Sequence, residues 1–262
     1  MTEPTLFTAA FALYVAAALV YFAALFARRE RWARGGLALA VAGLAAHTAA
    51  LAVRTAASGH APFTNMYESL SFLSWAVVVA LVVFGRGSRV PKLGPYLMLI
   101  VVALVALASS PLMPKGATPL VPALQSYWLW LHVSVTLLGE AFFAVAFVAS
   151  LLYLGADSEE KRERFDALAY RAVAVGFPLF TLGGLVFGMV WAYRAWGRYW
   201  GWDPKEVWSL ITWFVFALYL HTRIVMGWKG RRSAWIAIAG FLAALFTYFG
   251  VNYLLAGLHS YS

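Results

Sequence analysis

The sequence predicts an all-α membrane protein, a polytopic bundle of about eight transmembrane helices with both termini outside the cytoplasm. Hydrophobic residues make up 63% of the 262 positions and charged residues only 12%, and the mean hydropathy is +0.76. These values lie far outside the range of soluble globular proteins. The chain contains no cysteine, which excludes a disulfide framework or a CxxC metal or redox site within it.

Eight apolar segments are long enough to cross a bilayer core, which takes about 20 apolar residues. They lie near residues 6–27, 36–54, 66–84, 93–110, 128–154, 172–193, 207–226 and 234–254. The first has no cationic region before it and no small-residue cleavage site after a short apolar run, so we interpret it as a retained helix and not as a signal peptide. One integral membrane domain spanning residues 1–262 is the simplest organisation.

The distribution of basic residues predicts which loops face the cytoplasm. Fifteen of the 20 Lys and Arg residues fall in four alternate stretches, residues 28–34, 86–92, 161–171 and 223–232. The other five are Arg54, Lys115, Arg194, Arg198 and Lys205. The positive-inside rule places the first set in the cytoplasm. Topology and anionic membrane lipid as a partner then explain the formal charge of +9, and no nucleic-acid partner is required. The mixed charges of residues 155–170 suit a short interfacial helix.

The most unusual stretch is residues 191–213, WAYRAWGRYWGWDPKEVWSLITW, which holds six of the twelve tryptophans. One or two tryptophans at a helix end are typical of membrane anchoring. Six, with Tyr193 and Tyr199 beside them, exceed what anchoring requires, and the flat indole faces favour a platform on which another flat apolar group stacks. This loop, residues 191–208, is predicted to lie outside the cytoplasm.

Within the same stretch, Asp203, Pro204 and Glu206 predict the start of a helix. Asp203 is suited to the N-cap, Pro204 to the first helical position, and Glu206 to the return bond of a capping box. This structural role does not exclude a functional one, because a capped helix end would fix the adjacent aromatic residues.

The motif WGRYWGWDPKEVWSLITW closely resembles the "WWD" signature of the membrane haem-handling proteins of cytochrome c assembly. The segments GHAPFTNMYESLSF, LWLHV, LHTR and GVNYLLAGLHSY are similar to the CcsA (ResC) branch, also called system II. The resemblance extends from about residue 47 to the C-terminus.

The resemblance implies an outer site for haem b, with His132 and His259 as axial ligands of the iron. The residues that would present the haem are Trp196, Trp200, Trp202 and Asp203, with Trp191 and Tyr199 beside them. Arg194, Arg198 and Lys205 would face the propionates, although ordinary loop charges are an equal alternative for these cations. Without the resemblance, a histidine at a membrane interface is more often a hydrogen-bonded structural residue.

The resemblance also implies a second haem site within the membrane, with His221 as one ligand. His221 lies about 14 residues into the seventh segment, or roughly 21 Å from its outer end. His47 has a compatible depth and is a candidate for the opposite ligand. The alternatives are that the partner protein supplies this ligand and that His47 bonds a neighbouring helix. For His60, in the GHAPFTN loop, we expect a structural role.

Two other features have structural explanations. Glu140 interrupts an apolar segment, so it is expected to be protonated or paired, with Arg223 as one possible partner. Gly183, Gly184 and Gly188 permit close helix packing and lack the Lys-Ser/Thr of a phosphate loop.

The function implied by the resemblance is cytochrome c biogenesis, with the chain as the integral half of a holocytochrome c synthase in the bacterial plasma membrane. Haem would be exported and presented to the CxxCH motif of apocytochrome c, with a CcsB (ResB)-like subunit and a thioredoxin-like reductant as further partners. No side chain has to act as a nucleophile. The alternatives are a non-catalytic haem-binding or regulatory protein of the HemX type and, much less favoured, an ion transporter.

Overall fold

The computed structural model describes residues 2–85, 92–116 and 124–255, and within these ranges the chain forms eight helices and no strand. The helices are α1 (Glu3–Phe26), α2 (Glu30–Ser58), α3 (Met66–Gly85), α4 (Leu93–Ser109), α5 (Tyr127–Leu154), α6 (Glu159–Trp196), α7 (Pro204–Ile224) and α8 (Arg231–Leu254). Two of them contain π-helical segments, residues Thr181–Phe187 in α6 and Phe246–Gly250 in α8.

Seven of these helices are long and apolar enough to cross a membrane. The remaining one, α4, is apolar but has 17 residues, a length of about 26 Å. The predicted all-α polytopic fold is therefore confirmed, and all eight predicted segments fall on helices.

The chain divides into two compact units, residues 1–118 and 119–262. In the first unit α1 packs on α2 and α4, and α3 packs on α4. Tyrosine rings of α1 fill positions left open by glycine: a Cβ on Gly43 would lie 2.7 Å from the ring of Tyr14, and one on Gly94 would lie 2.4 Å from that of Tyr21. These two glycines let large rings enter the helix interfaces.

One end of the first unit is fixed by a buried ion pair. The Arg54 guanidinium donates to Glu68 at 2.7 Å, and the other Glu68 oxygen accepts from the backbone and hydroxyl of Thr64 at 2.7 and 2.8 Å. Arg54 also donates to the Lys115 carbonyl at 3.0 Å. Because both partners are buried, this network ties the loops after α2 and α4 to the start of α3.

The second unit contains α5 to α8. Its centre is a ring stack between Phe143 of α5 and Phe216 of α7, with centroids 3.6 Å apart and planes inclined by 13°. Gly240 of α8 leaves space for Phe216, because a Cβ there would lie 2.8 Å from the ring. α5, α7 and α8 are therefore in contact at the centre of this unit.

Residues 155–170 do not form the separate short interfacial helix that the charge pattern suggests. Ser158 caps the N-terminus of α6, and the helix continues without a break to Trp196. The reason is that Phe165, Leu168 and Ala172 are buried on one face of the helix, so the charged half packs into the unit and does not turn away along a surface.

The partner expected for Glu140 is also corrected. Arg223 donates two hydrogen bonds to Asp166, at 2.8 and 2.6 Å, and Asp166 accepts a third from the Gly230 backbone at 2.9 Å. The carboxylate that meets Arg223 therefore comes from the charged half of α6, and Glu140 interacts electrostatically with Lys205.

Candidate functional site

The Trp-rich loop is held between two helix ends whose sequence signals are local. α6 ends at Trp196, and Gly197 takes the left-handed conformation, with φ of 74°, that suits a helix C-terminus. Asp203 caps α7, accepting from the Lys205 backbone at 3.0 Å, while Glu206 completes the capping box. The helix start predicted at Asp203 is confirmed.

Glu206 also folds the loop itself. One carboxylate oxygen accepts from the backbone N–H of Gly201 at 2.7 Å and of Asp203 at 3.2 Å. Trp202, between these donors, has φ of 58°, a left-handed conformation that is strained for a bulky residue. The residue is 72% exposed, so the loop holds a large indole outward at the expense of backbone strain.

The aromatic residues of the loop and the preceding helix contact one another in pairs. Trp191 and Trp196 meet at 4.8 Å in an edge arrangement, Tyr193 and Tyr199 stack at 4.5 Å, and Trp200 and Trp202 meet edge to face at 5.8 Å. The buried indole Nε1 of Trp200 has no hydrogen-bond partner among the described residues. A buried donor without a partner is costly, so a ligand with an acceptor group would complete it.

His132 lies against this aromatic cluster. Its ring stacks on Trp191, with centroids 5.6 Å apart and planes inclined by 9°. Its Nδ1 is 2.8 Å from the Gly183 carbonyl oxygen. A carbonyl only accepts, so Nδ1 carries the hydrogen and Nε2 carries the lone pair, which is the tautomer of a histidine whose second nitrogen binds a metal.

Lys205, in the first turn of α7, and Asn252, near the end of α8, connect these two helices. The Lys205 ammonium donates to Asn252 at 2.9 Å and interacts with the buried Glu140 carboxyl group. Sequence reasoning missed Asn252, although a polar amide near the end of an apolar segment was a usable signal.

Arg194, in the last turn of α6, and Arg198, in the loop after it, are both exposed. The Arg198 guanidinium lies over Gly201, since a Cβ on Gly201 would lie 2.8 Å from its Nε. In the described part of the chain no three His, Asp, Glu or Cys side chains are grouped as a metal cluster. The donor set, an oriented imidazole beside flat aromatic rings and cations, fits a planar metal-bearing group with acidic substituents.

His221 and His47 have surroundings of a different kind. His221 lies on an exposed strip of α7 with Ile211, Phe214 and Leu218. His47 is fully buried in the first unit, with Nδ1 3.3 Å from the Tyr14 hydroxyl and Nε2 2.8 Å from the Ser71 hydroxyl. These two bonds favour the structural alternative for His47.

His60 is buried, with Nδ1 3.0 Å from the Ala61 carbonyl oxygen. This bond to the backbone of its own loop supports the structural role expected for it. His259 lies outside the described residues, so its predicted pairing with His132 stays a prediction.

The comparisons with known proteins agree with the sequence resemblance. The family model described as "Cytochrome C assembly protein" matches residues 63–259. A cytochrome c biogenesis protein CcsA of Chlamydomonas reinhardtii is 43% identical over 78% of this chain. One of Gloeobacter violaceus is 36% identical, covering 95% of this chain and 93% of the relative.

A solved structure, the cytochrome c heme lyase CcmF, has the same fold. It superposes with a TM-score of 0.72 over 95% of this chain at 19% sequence identity. This chain spans 62% of the length of the algal relative and 47% of the lyase chain. The match of a family model to most of the chain, together with the coverage of the Gloeobacter relative, shows that this multi-pass membrane protein belongs to the cytochrome c assembly family, in its CcsA branch.

Proposed function

We propose that the chain binds haem b as a substrate at the Trp-rich loop and presents it for covalent attachment to apocytochrome c. The observation that carries this proposal is the state of His132. Its Nδ1 donates to a backbone carbonyl at 2.8 Å and its ring stacks on Trp191, an arrangement that orients the imidazole and places the lone pair on Nε2.

The residues of the loop have separate tasks in this proposal. His132 binds the iron from one side and His259 from the other, and two strong-field imidazoles keep the iron six-coordinate. The rings of Trp191, Trp196, Tyr199, Trp200 and Trp202 provide flat apolar contact. Arg194, Arg198 and the Trp200 Nε1 hydrogen meet the propionates, and Asp203 fixes the loop through its cap.

The chemistry then requires no nucleophile from this chain. Haem b supplies two vinyl groups, and each thiol of a reduced CxxCH motif adds across one of them, forming a C–S bond while its hydrogen passes to the other vinyl carbon. The protein holds the haem in position and excludes water. A thioredoxin-like reductant keeps the thiols reduced, because this chain has no cysteine of its own.

His221 has a different place in the proposal, as a ligand on the route of haem through the membrane. A histidine side chain is unfavourable against lipid, yet His221 is exposed on an otherwise apolar strip of α7. A CcsB (ResB)-like membrane subunit packed on this strip would cover it and provide a second ligand. His47, with both ring nitrogens hydrogen-bonded, is the weaker candidate for that ligand.

The distribution of basic residues supports the proposed transport of haem from the cytoplasm to the outer face. Fifteen of 20 Lys and Arg residues lie in the alternate stretches assigned to the cytoplasm, which places both termini and the Trp-rich loop outside a bacterial plasma membrane. Reporter fusions after Ser262 and within residues 161–164 test this placement. Activity outside is expected only for the first fusion.

The test of the haem site compares two histidines that both bond a carbonyl. In purified protein, a pyridine haemochrome assay should identify the haem as b-type, and the absorption spectrum of the untreated protein should be low-spin. His132→Gly should lose haem or shift the spin state, and added imidazole should restore the spectrum. His60→Gly is the matched control and should retain its haem, because His60 has no aromatic ring stacked on it among the described contacts.

Two outcomes would contradict this proposal. One is a wild-type protein that binds no haem when haem is supplied. The other is a His132→Gly variant with unchanged haem content and spectrum.

A further inference from the structure

The π-helical segment Thr181–Phe187 changes which residues of α6 share a face. The Gly188 N–H donates to the Gly183 carbonyl, a bond between residues five apart. In an α-helix, residues five apart are separated by about 140° around the axis. The wider π turn brings them close to alignment, so Gly183 and Gly188 point toward the same neighbour.

That neighbour is the imidazole of His132. The Gly183 carbonyl accepts the Nδ1 hydrogen at 2.8 Å. A Cβ on Gly188 would lie 3.0 Å from Nδ1 and 3.1 Å from Cε1 of the same ring. Trp191, one turn further along α6, stacks on the ring at 5.6 Å. Gly183, Gly188 and Trp191 therefore surround the imidazole on its Nδ1 edge and on one face of its ring.

The approach of the two helix backbones makes this possible. A Cβ on Gly183 would lie 2.4 Å from the backbone nitrogen of Thr136 on α5, so no larger residue fits there without movement of a helix. At this distance the Gly183 carbonyl reaches a side chain one turn away on α5. Thr136 in addition donates its hydroxyl to the His132 carbonyl at 2.5 Å, which secures the same turn.

We propose that the π-helical segment and the helical turn after it form a socket for the axial histidine, in which Gly183 of the segment and Gly188 and Trp191 of that turn act as positioning residues. The socket fixes His132 in the Nδ1–H tautomer and directs Nε2 to the iron. The inference rests on the proposed haem site and assigns to these residues a role beyond helix packing. A hydrogen bond from the second ring nitrogen raises the basicity of a histidine ligand, so the socket also favours the ferric iron.

The first experiment uses two glycines of the same helix in the haem-loaded full chain. Gly188→Ala places a methyl group against the His132 ring, whereas a Cβ on Gly184 would make ordinary contact with Phe180 at 3.5 Å. Alanine favours helix over glycine in both cases. We expect Gly188→Ala to weaken haem binding about 10-fold, at the lower end of the effects of such outer partners.

The same variant should raise the reduction potential and shift the ferric EPR spectrum, because the weaker Nδ1 hydrogen bond makes the imidazole a poorer donor. Gly184→Ala should match the wild type in affinity, potential and EPR spectrum. If both variants match the wild type while His132→Gly loses its haem, the socket is refuted and the haem site stands.

The second experiment requires no haem. ¹⁵N-histidine NMR of the haem-free full chain, with the His132 signals assigned by their loss in His132→Gln, reports the tautomer directly. The Nδ1–H form is expected in the wild type, with tautomer exchange appearing in Gly188→Ala. An Nε2–H form in the wild type would overturn the inference whether or not haem binds, so its failure is separable from that of the proposed function.

Discussion

His132 and His47 are both histidines of predicted membrane helices, but their surroundings differ in kind. His47 is fully buried, and each ring nitrogen faces a side-chain hydroxyl, of Tyr14 or Ser71. His132 is partly exposed, bonds a backbone carbonyl through Nδ1 and stacks on an indole. His47 is therefore enclosed by the fold, whereas His132 is oriented through Nδ1 and one face of its ring.

The difference shows how a structural histidine can be told from a ligand. A buried imidazole with two hydroxyl partners has satisfied its donor and its acceptor within the protein. An imidazole whose Nδ1 donates to a backbone carbonyl is held in one tautomer, in which Nε2 carries the lone pair that a metal requires. Depth in the membrane does not separate these cases, although it was the criterion that made His47 a candidate ligand.

The largest effects are expected when each of the two histidines is replaced by leucine, because the two variants should lose different properties. His47→Leu leaves the Tyr14 and Ser71 hydroxyls buried without their partner, and each costs about 1–3 kcal/mol. We expect a clearly lower melting temperature in detergent and unchanged haem content per folded molecule. His132→Leu should have the opposite profile, with the haem lost and the melting temperature of the haem-free protein nearly unchanged.

His47→Gln is the control for the first variant, because an amide offers both a donor and an acceptor and should recover part of the stability. If His47→Leu lost its haem at wild-type stability, the structural role of His47 would be contradicted. His47 would then again be a candidate ligand within the membrane.

A smaller effect is expected from the helix cap that fixes the Trp-rich loop. Asp203→Ala removes the acceptor for the Lys205 backbone N–H, and loss of an N-cap costs about 1 kcal/mol. Faster amide exchange in the first turn of α7 and weaker haem binding should follow. Asp203→Asn keeps an acceptor and should stay close to the wild type, whereas an equal loss in both variants would indicate a role for the carboxylate charge.

The smallest effect concerns the strained residue of the loop. A left-handed backbone costs a non-glycine residue about 1–2 kcal/mol, and the exposed Trp202 side chain contributes little packing. Trp202→Gly should therefore raise the melting temperature slightly while weakening haem binding. Trp202→Phe keeps both the strain and a ring and should change neither property much. A Trp202→Gly variant that binds haem normally would show that this indole is not part of the platform.

The features that the sequence by itself determined depend on residues close together in the chain. Apolar segments of membrane-spanning length appear as helices, because no other element satisfies its backbone within lipid except a closed barrel. Asp203, Pro204 and Glu206 start α7 as predicted, because a capping box involves only four consecutive residues. The WWD motif and its flanking segments were sufficient to indicate the family.

Tertiary structure alone decided which distant residues meet. The charged half of α6 gave no sign that Asp166 would pair with Arg223, 57 residues away, and the glycines of α6 were interpreted only as packing positions. Their alignment on His132 requires the extra residue of a π turn and the contact of α5 with α6. Neither feature can be read from the sequence, because the apolar pattern of α6 fits an uninterrupted α-helix equally well. The tautomer and orientation of His132 are likewise set by the groups that pack against its ring in the folded chain.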